Sequence, residues 1–60
     1  MAEYRVYEIG DDDHIVSSTA LICRDDQEAI ARTREFAAGR VLEIWSGERF
    51  VTRLAPEVRQ

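Results

Sequence analysis

The sequence predicts an α+β fold, a single four-stranded, mainly antiparallel sheet with one helix on one face, in the order β-β-α-β-β. Four short runs are rich in β-branched, aliphatic and aromatic residues, and glycine and aspartate separate them. One central segment repeats its apolar residues with the period of a helix. The 60 residues suffice for one domain, which we expect to be ordered over about residues 3–55 and frayed over residues 56–60.

The first half of the chain predicts a hairpin. The run EYRVYEI, residues 3–9, is followed by the acidic stretch GDDDH and then by IVSSTALICR, residues 15–24. Tyr, Val, Ile and Thr fit the pleated surface of a strand, and Gly and Asp are typical of the turn between two strands.

The segment RDDQEAIARTREFAAGR predicts the helix. Asp25 is placed to accept from the free amides of the first turn, and Glu28 completes a pattern like a capping box. Gly39 stands where a left-handed residue ends a helix. The residues spaced to form one apolar stripe are Ala29, Ile30, Thr33, Phe36 and Ala37.

The last part of the chain predicts a second hairpin. RVLEIWS, residues 40–46, and RFVTRL, residues 49–54, flank a turn centred on Gly47, and Pro56 ends the ordered region. If the helix crosses over the first strand, the sheet order is 2-1-3-4 and every pair is antiparallel. The alternative order, 1-2-3-4, places strands two and three side by side in parallel and requires a right-handed crossover.

The predicted strands carry apolar residues at adjacent positions. Because neighbouring side chains in a strand point to opposite faces, we expect both faces of the sheet to be apolar. One helix covers one face, and we expect it to cover Leu42, Ile44, Leu21 and Cys23 with Ile30 and Phe36. The other face keeps an apolar patch around Trp45, which is typical of an interface. The expected interface residues are Trp45, Val41, Tyr7 and Val51, with the register around Gly47 deciding between Phe50 and Val51.

Size and composition favour a protein that associates. A domain of 60 residues is marginally stable, and Cys23, the sole cysteine, allows no internal disulfide. The formal charge of −4, with no lysine, argues against a nucleic-acid partner. Since no apolar run reaches membrane-spanning length and no signal peptide is evident, the chain is expected to be cytoplasmic. We therefore expect a homodimer, with no membrane partner and no cofactor.

The three consecutive aspartates beside His14 are the one candidate for metal or acid–base chemistry. Counted from Asp11 or from Asp13, the ligand spacing of a calcium loop fails, and consecutive aspartates of an extended chain point in alternate directions. We interpret the stretch as the bend of the first hairpin. Cys23 is interpreted as a buried strand residue, so neither a catalytic nor a metal site is predicted.

The motifs YRVY, the Asp-rich turn with HIV, LICRDDQEAIA and VLEIWSGERFVTRL together resemble a group of short bacterial proteins of about 60 residues without assigned activity. The resemblance covers residues 4–54 and implies a free-standing protein, with no catalytic residues to transfer. A weaker likeness, in the acidic turn and the Glu-Ala helix start, is to antitoxins of the HicB type.

These observations favour a non-enzymatic interaction or binding module that acts as a homodimer through the apolar sheet face. An unidentified protein partner is a further possibility for that face. The alternative is a small antitoxin-like or regulatory protein that neutralises a basic partner. The third is an enzyme whose site forms only at a dimer interface.

Overall fold

A computed structural model describes residues 1–56, and in this part of the chain it has the predicted α+β architecture. The elements are β1 (Ala2–Ile9), β2 (Ile15–Cys23), α1 (Asp26–Ala37), β3 (Val41–Ser46) and β4 (Arg49–Leu54). Apart from Pro56, the tail predicted for residues 56–60 lies outside the described residues.

The strands form one antiparallel sheet in the order β2-β1-β3-β4. The order 2-1-3-4 that the sequence favoured is confirmed, and the parallel alternative is wrong. α1 carries the chain from the end of β2 past β1 to the start of β3, so β1 and β3 are the two central strands. Both central strands carry fully buried residues, which agrees with their apolar sequences.

The core lies between α1 and the face of the sheet that we call the inner face. Val6 and Ile44 are cross-strand partners on this face, and both are buried. The buried set is Tyr4, Val6, Cys23, Ala29, Thr33, Leu42 and Ile44, with Leu21, Ile30 and Phe36 packed against it. The predicted helix stripe and its predicted strand contacts are thereby confirmed.

The start of α1 is the predicted cap. The backbone N–H of Glu28 donates to Asp25 Oδ1 at 2.9 Å. The Glu28 carboxylate accepts from the backbone N–H of Arg24 at 2.6 Å, one residue before the N-cap, so the pattern is only similar to a capping box. The contact with Asp25 satisfies one of the backbone donors that a helix start leaves free.

The end of α1 differs from the prediction by one residue. Ala38, with φ 51°, already adopts the left-handed conformation, and Gly39 continues it with φ 76°. Arg40 Nε donates to the carbonyl of Ala37 at 3.0 Å, so a side chain supports the exposed helix end.

With 12 residues, α1 is too short to cross a membrane, and residues 1–56 hold no longer helix.

Truncation of Ile44, which is fully buried, tests how much the small core contributes to stability. We expect Ile44→Val to lower the free energy of unfolding by about 1 kcal/mol and Ile44→Ala by about 2–5 kcal/mol, because the second leaves a larger cavity. Urea unfolding followed by far-UV circular dichroism, at one chain concentration, measures both. Equal and small losses for the two variants would contradict a closely packed core.

Candidate interaction surface

The face of the sheet opposite α1, here called the outer face, displays the residues between the buried positions of the central strands. Arg5 lies opposite Trp45, Tyr7 opposite Glu43 and Ile9 opposite Val41. Directly opposite residues of antiparallel strands project from the same face. Three of the four predicted interface residues, Tyr7, Val41 and Trp45, therefore share this face, and all three are half-buried.

Trp45 forms an aromatic pair on the outer face with a residue from β4. The ring centroids of Trp45 and Phe50 lie 5.3 Å apart with 73° between their planes, an edge-to-face contact. The indole Nε1–H of Trp45 donates to Glu43 Oε1 at 3.3 Å. Phe50 remains 48% exposed, so the pair keeps a wide apolar surface in water.

Val51 does not join this pair. The register of β3 and β4 shifts between Ile44 and Trp45, so that Trp45 faces Phe50 and Val51 falls between two paired positions. Val51 packs against the buried core instead. The physical reason is a β-bulge, which adds one residue to a strand and changes which side chains face which side. Of the two candidates left open by the sequence, the structure places Phe50 beside Trp45.

The charged side chains of the outer face pair within the chain. Arg5 contacts Glu3 at 3.6 Å, and Arg53 contacts Glu43 at 3.6 Å. The two arginines balance the two glutamates, so this face carries no net charge although the chain carries −4. Arg and Glu stems also cover part of the apolar surface around the aromatic pair.

The acidic stretch forms the bend of the first hairpin. The backbone N–H of Asp13 donates to the carbonyl of Gly10 at 3.0 Å, and the N–H of Gly10 donates to the carbonyl of His14 at 2.7 Å. Asp12 contacts His14 Nδ1 at 2.7 Å, with both side chains mostly exposed. Within residues 1–56, no three His, Cys, Asp or Glu residues are grouped so as to hold a metal ion.

A polar cluster that sequence reasoning missed joins three elements at one end of the inner face. The Tyr4 hydroxyl donates to Asp26 Oδ1 at 2.7 Å. Arg49 donates to both Asp26 oxygens at 2.9 Å each. The cluster ties β1, the first turn of α1 and β4 together. No local spacing in the sequence indicated the partners of Asp26.

Hydrogen bonding sets the protonation of this cluster. The bonds from Arg49 first, and from Tyr4 second, lower the pKa of the Asp26 carboxyl from 3.8 to about 2. The same bond to Asp26, with burial as the second cause, raises the pKa of the Tyr4 hydroxyl. With these two pKa shifts, Asp26 stays charged and Tyr4 stays neutral beside the Arg49 guanidinium, which suits a structural tie.

Cys23 is fully buried beneath α1, as predicted from its place in the strand. Arg32 Nη1 lies 3.9 Å from Cys23 Sγ and also donates to the carbonyl of Ile22 at 3.2 Å. An open cleft of about 250 Å³ is lined by Glu3, Tyr4, Arg5, Tyr7 and Gly47. It contains carboxylate, phenol and guanidinium groups, and it adjoins the outer face.

No protein-family model matches the chain, and the searches of curated proteins and of solved structures found no match either. The resemblance to short bacterial proteins and the weaker likeness to the HicB antitoxins therefore stay predictions.

Substitution of Asp13 tests the interpretation of the acidic stretch as a turn. Asp13 has φ 66°, which short polar residues and glycine tolerate and β-branched residues do not. We expect Asp13→Val to lower the free energy of unfolding by about 1–2 kcal/mol, while Asp13→Gly and Asp13→Asn retain it. Thermal unfolding measures the effect. A rise of the wild-type melting temperature with Ca²⁺, abolished in Asp13→Asn, would instead indicate a cation site.

The pH dependence of stability tests the Tyr4–Asp26–Arg49 cluster. Because the pKa of Asp26 is lower in the folded chain, its stabilising effect is complete above about pH 4 and is lost as the pH falls towards about 2. We expect Asp26→Asn to be less stable than the wild type at neutral pH and to show a shallower loss over this window. Urea unfolding at a series of pH values, at fixed chain concentration, gives the slope of the free energy of unfolding against pH for the wild type and for Asp26→Asn. Asp11→Asn, which removes an exposed turn carboxylate, is the control and should keep the wild-type slope; an unchanged slope in Asp26→Asn would contradict the account.

Proposed function

We propose that the chain is a non-enzymatic, cytoplasmic interaction module that acts as a homodimer, with the outer face of one copy buried against the outer face of another. The aromatic pair of Trp45 and Phe50 on a face that no described element covers is the observation that supports this proposal most directly. Tyr7, Ile9 and Val41 extend the apolar surface beside it.

The small core supports association. Six apolar residues are buried within residues 1–56, and the sole cysteine leaves no internal disulfide to add stability. Domains of this size bury only about 60% of the surface of the unfolded chain. Burial of a second apolar layer in a dimer interface adds the hydrophobic stabilisation that one helix and one sheet face lack.

The shape of the molecule supports the choice of surface. The described chain measures 38 × 22 × 16 Å, with 4427 Å² of accessible surface. A stable interface of standard size buries about 800 Å² on each partner, roughly a fifth of this surface. A broad face of a flat molecule provides such an area more readily than its narrow sides.

The charge distribution supports a second copy as the occupant. Two copies with a net charge of −4 repel each other in general, but the outer face is locally neutral. In a two-fold arrangement the same patch meets itself, so the arginines of one copy have the glutamates of the other within their reach. Trp, Tyr and Arg, which this face combines, are also the residues that dominate binding energy at interfaces.

Trp45→Ala tests this proposal. We expect the wild type to be a dimer at micromolar concentration and Trp45→Ala to raise the dissociation constant by about tenfold or more, because it removes the central ring of the interface. Trp45→Phe should keep most of the affinity. Sedimentation equilibrium over a range of concentrations measures the association, and far-UV circular dichroism checks that each variant folds.

Two valines offer a matched control for the same experiment. Val41 lies on the outer face, whereas Val51 packs against the core. We expect Val41→Ala to weaken association and Val51→Ala to lower stability with less effect on association. A wild type that stays monomeric throughout would refute the proposal, as would a dimer indifferent to Trp45→Ala.

The alternative function is a regulator that neutralises a basic partner, supported by the exposed run Asp11 to Asp13 at the tip of the first hairpin. A pull-down from native lysate distinguishes the two. Stoichiometric recovery of a basic protein, lost when the three aspartates are replaced by asparagine and retained in Trp45→Ala, would favour the regulator.

A further inference from the structure

We infer that Trp45 of each copy docks into the cleft beside β1 of the other copy, about a two-fold axis that runs along the strands midway between β1 and β3. This arrangement rests on the homodimer proposed above. In it, each cleft is completed by a ring from the second copy, so neither cleft is complete within one chain.

The receiving site is the open cleft beside β1. Three of its lining residues, Glu3, Arg5 and Tyr7, alternate along β1 and so project from the outer face. Gly47 borders the cleft, and nothing lies within 4 Å of where a Cβ at Gly47 would stand. The cleft holds about 250 Å³, whereas an apolar cavity of about 150 Å³ already admits benzene. It therefore has room for an aromatic side chain.

The aromatic pair lies across the midline of the sheet from the cleft. In the order β2-β1-β3-β4 the midline falls between β1 and β3, and Trp45 and Phe50 lie on β3 and β4. Trp45 and Arg5 are direct cross-strand partners, so the ring and the cleft stand at the same level along the strands. A two-fold axis along the midline exchanges the two sides and keeps the level, so each ring meets the cleft of the other copy.

The side chains at this level complement each other in size and chemistry. From β2 to β4 they are Ala20, Arg5, Trp45 and Phe50. About the midline axis, the large Phe50 ring faces the small Ala20 of the second copy. Trp45 faces Arg5, whose guanidinium stacks favourably on an indole. The contact of Arg5 with Glu3, at 3.6 Å, engages an amino group at the edge of the guanidinium, whereas stacking engages its planar face.

The charges of the next row of the outer face favour this axis over one that runs across the strands. About the midline, Glu43 faces Tyr7 of the second copy and Arg53 faces Ser18, so no like charges meet. An axis across the strands through this row sets Glu43 on Glu43 and Arg53 on Arg53, which like-charge repulsion disfavours. An axis between this row and the row above sets the Glu43 carboxylate on the electron-rich face of Trp45.

A mixture of two variants tests the docking. Arg5→Ala alters the cleft and keeps the ring, whereas Trp45→Ala removes the ring and keeps the cleft. Each homodimer loses both docked contacts, and the heterodimer keeps one. We expect the dissociation constant of the heterodimer, after the statistical factor for unlike chains, to lie about threefold or more below the geometric mean of the two homodimer constants.

Sedimentation equilibrium of each variant alone and of the equimolar mixture measures these constants, and far-UV circular dichroism checks folding. Effects that arise within one chain add up and give a heterodimer at the geometric mean. That result would overturn the docking, because it would mean that Trp45 and Arg5 do not meet across copies.

Charged substitutions of Ser18 test the axis. Ser18 is exposed and lies on β2, about 14 Å from Arg53 across three strand spacings of its own sheet. Across copies the two positions face each other, and the rotation of about 30° between stacked sheets displaces them by only about 4 Å. We expect Ser18→Glu to lower the dissociation constant by about two- to tenfold and Ser18→Arg to raise it by a similar factor. In an Arg53→Gln background the gain from Ser18→Glu should vanish.

Ala31→Glu and Ala31→Arg are the matched controls, since they add the same charges at an exposed site of α1. Because the chain carries −4, the general effect of charge has the opposite sign: an added glutamate increases the repulsion between copies and an added arginine reduces it. A gain for Ser18→Glu and a loss for Ser18→Arg therefore support the midline axis.

The outcomes separate this arrangement from the dimer itself. A dimer that Trp45→Ala weakens, but in which the Ser18 variants behave like the Ala31 controls, would overturn the midline axis and leave the outer-face dimer standing. A gain for Ser18→Glu that survives in Arg53→Gln would do the same. A chain that stays monomeric, or a dimer indifferent to Trp45→Ala, would overturn both.

Discussion

A four-stranded sheet with apolar residues on both faces has two surfaces to bury, and the described chain offers one helix of 12 residues. α1 covers the inner face, where Leu42 and Ile44 are buried. The outer face, with Trp45 and Phe50, has only its own neighbouring side chains over it. Because burial of apolar surface is the main stabilising term of folding, this imbalance explains why association is the central property we propose.

Polar contacts fix α1 in place over the inner face. At its start, Asp26 binds Tyr4 of β1 and Arg49 of β4, so the helix is tied to a central strand and to an edge strand at once. At its end, Arg40 reaches the last carbonyls of the helix and contacts Glu8 of β1 at 3.2 Å. Charge-assisted bonds at both ends orient the helix, while the apolar stripe between them provides the hydrophobic contact.

Periodicity and turn chemistry predicted most of the fold, since they depend on neighbouring residues. The strands, the cap at Asp25 and the helix stripe follow from such local signals, and the order 2-1-3-4 follows from where the helix crosses. The place of Val51 did not follow, because the register shift beside Trp45 arises from how two strands fit together. The cluster of Tyr4, Asp26 and Arg49 was likewise hidden, because its members come from distant parts of the sequence. The helix end shifted by one residue because Ala38 adopts the left-handed conformation before Gly39.

The measurement that tests the central claim most directly is an isotope-filtered NOE spectrum of a mixture of labelled and unlabelled chains, in which only contacts between copies appear. The account predicts contacts from the Trp45 indole of one copy to outer-face side chains of another. A dimer whose intermolecular contacts come from α1 instead, with the Trp45 indole giving none, would contradict it.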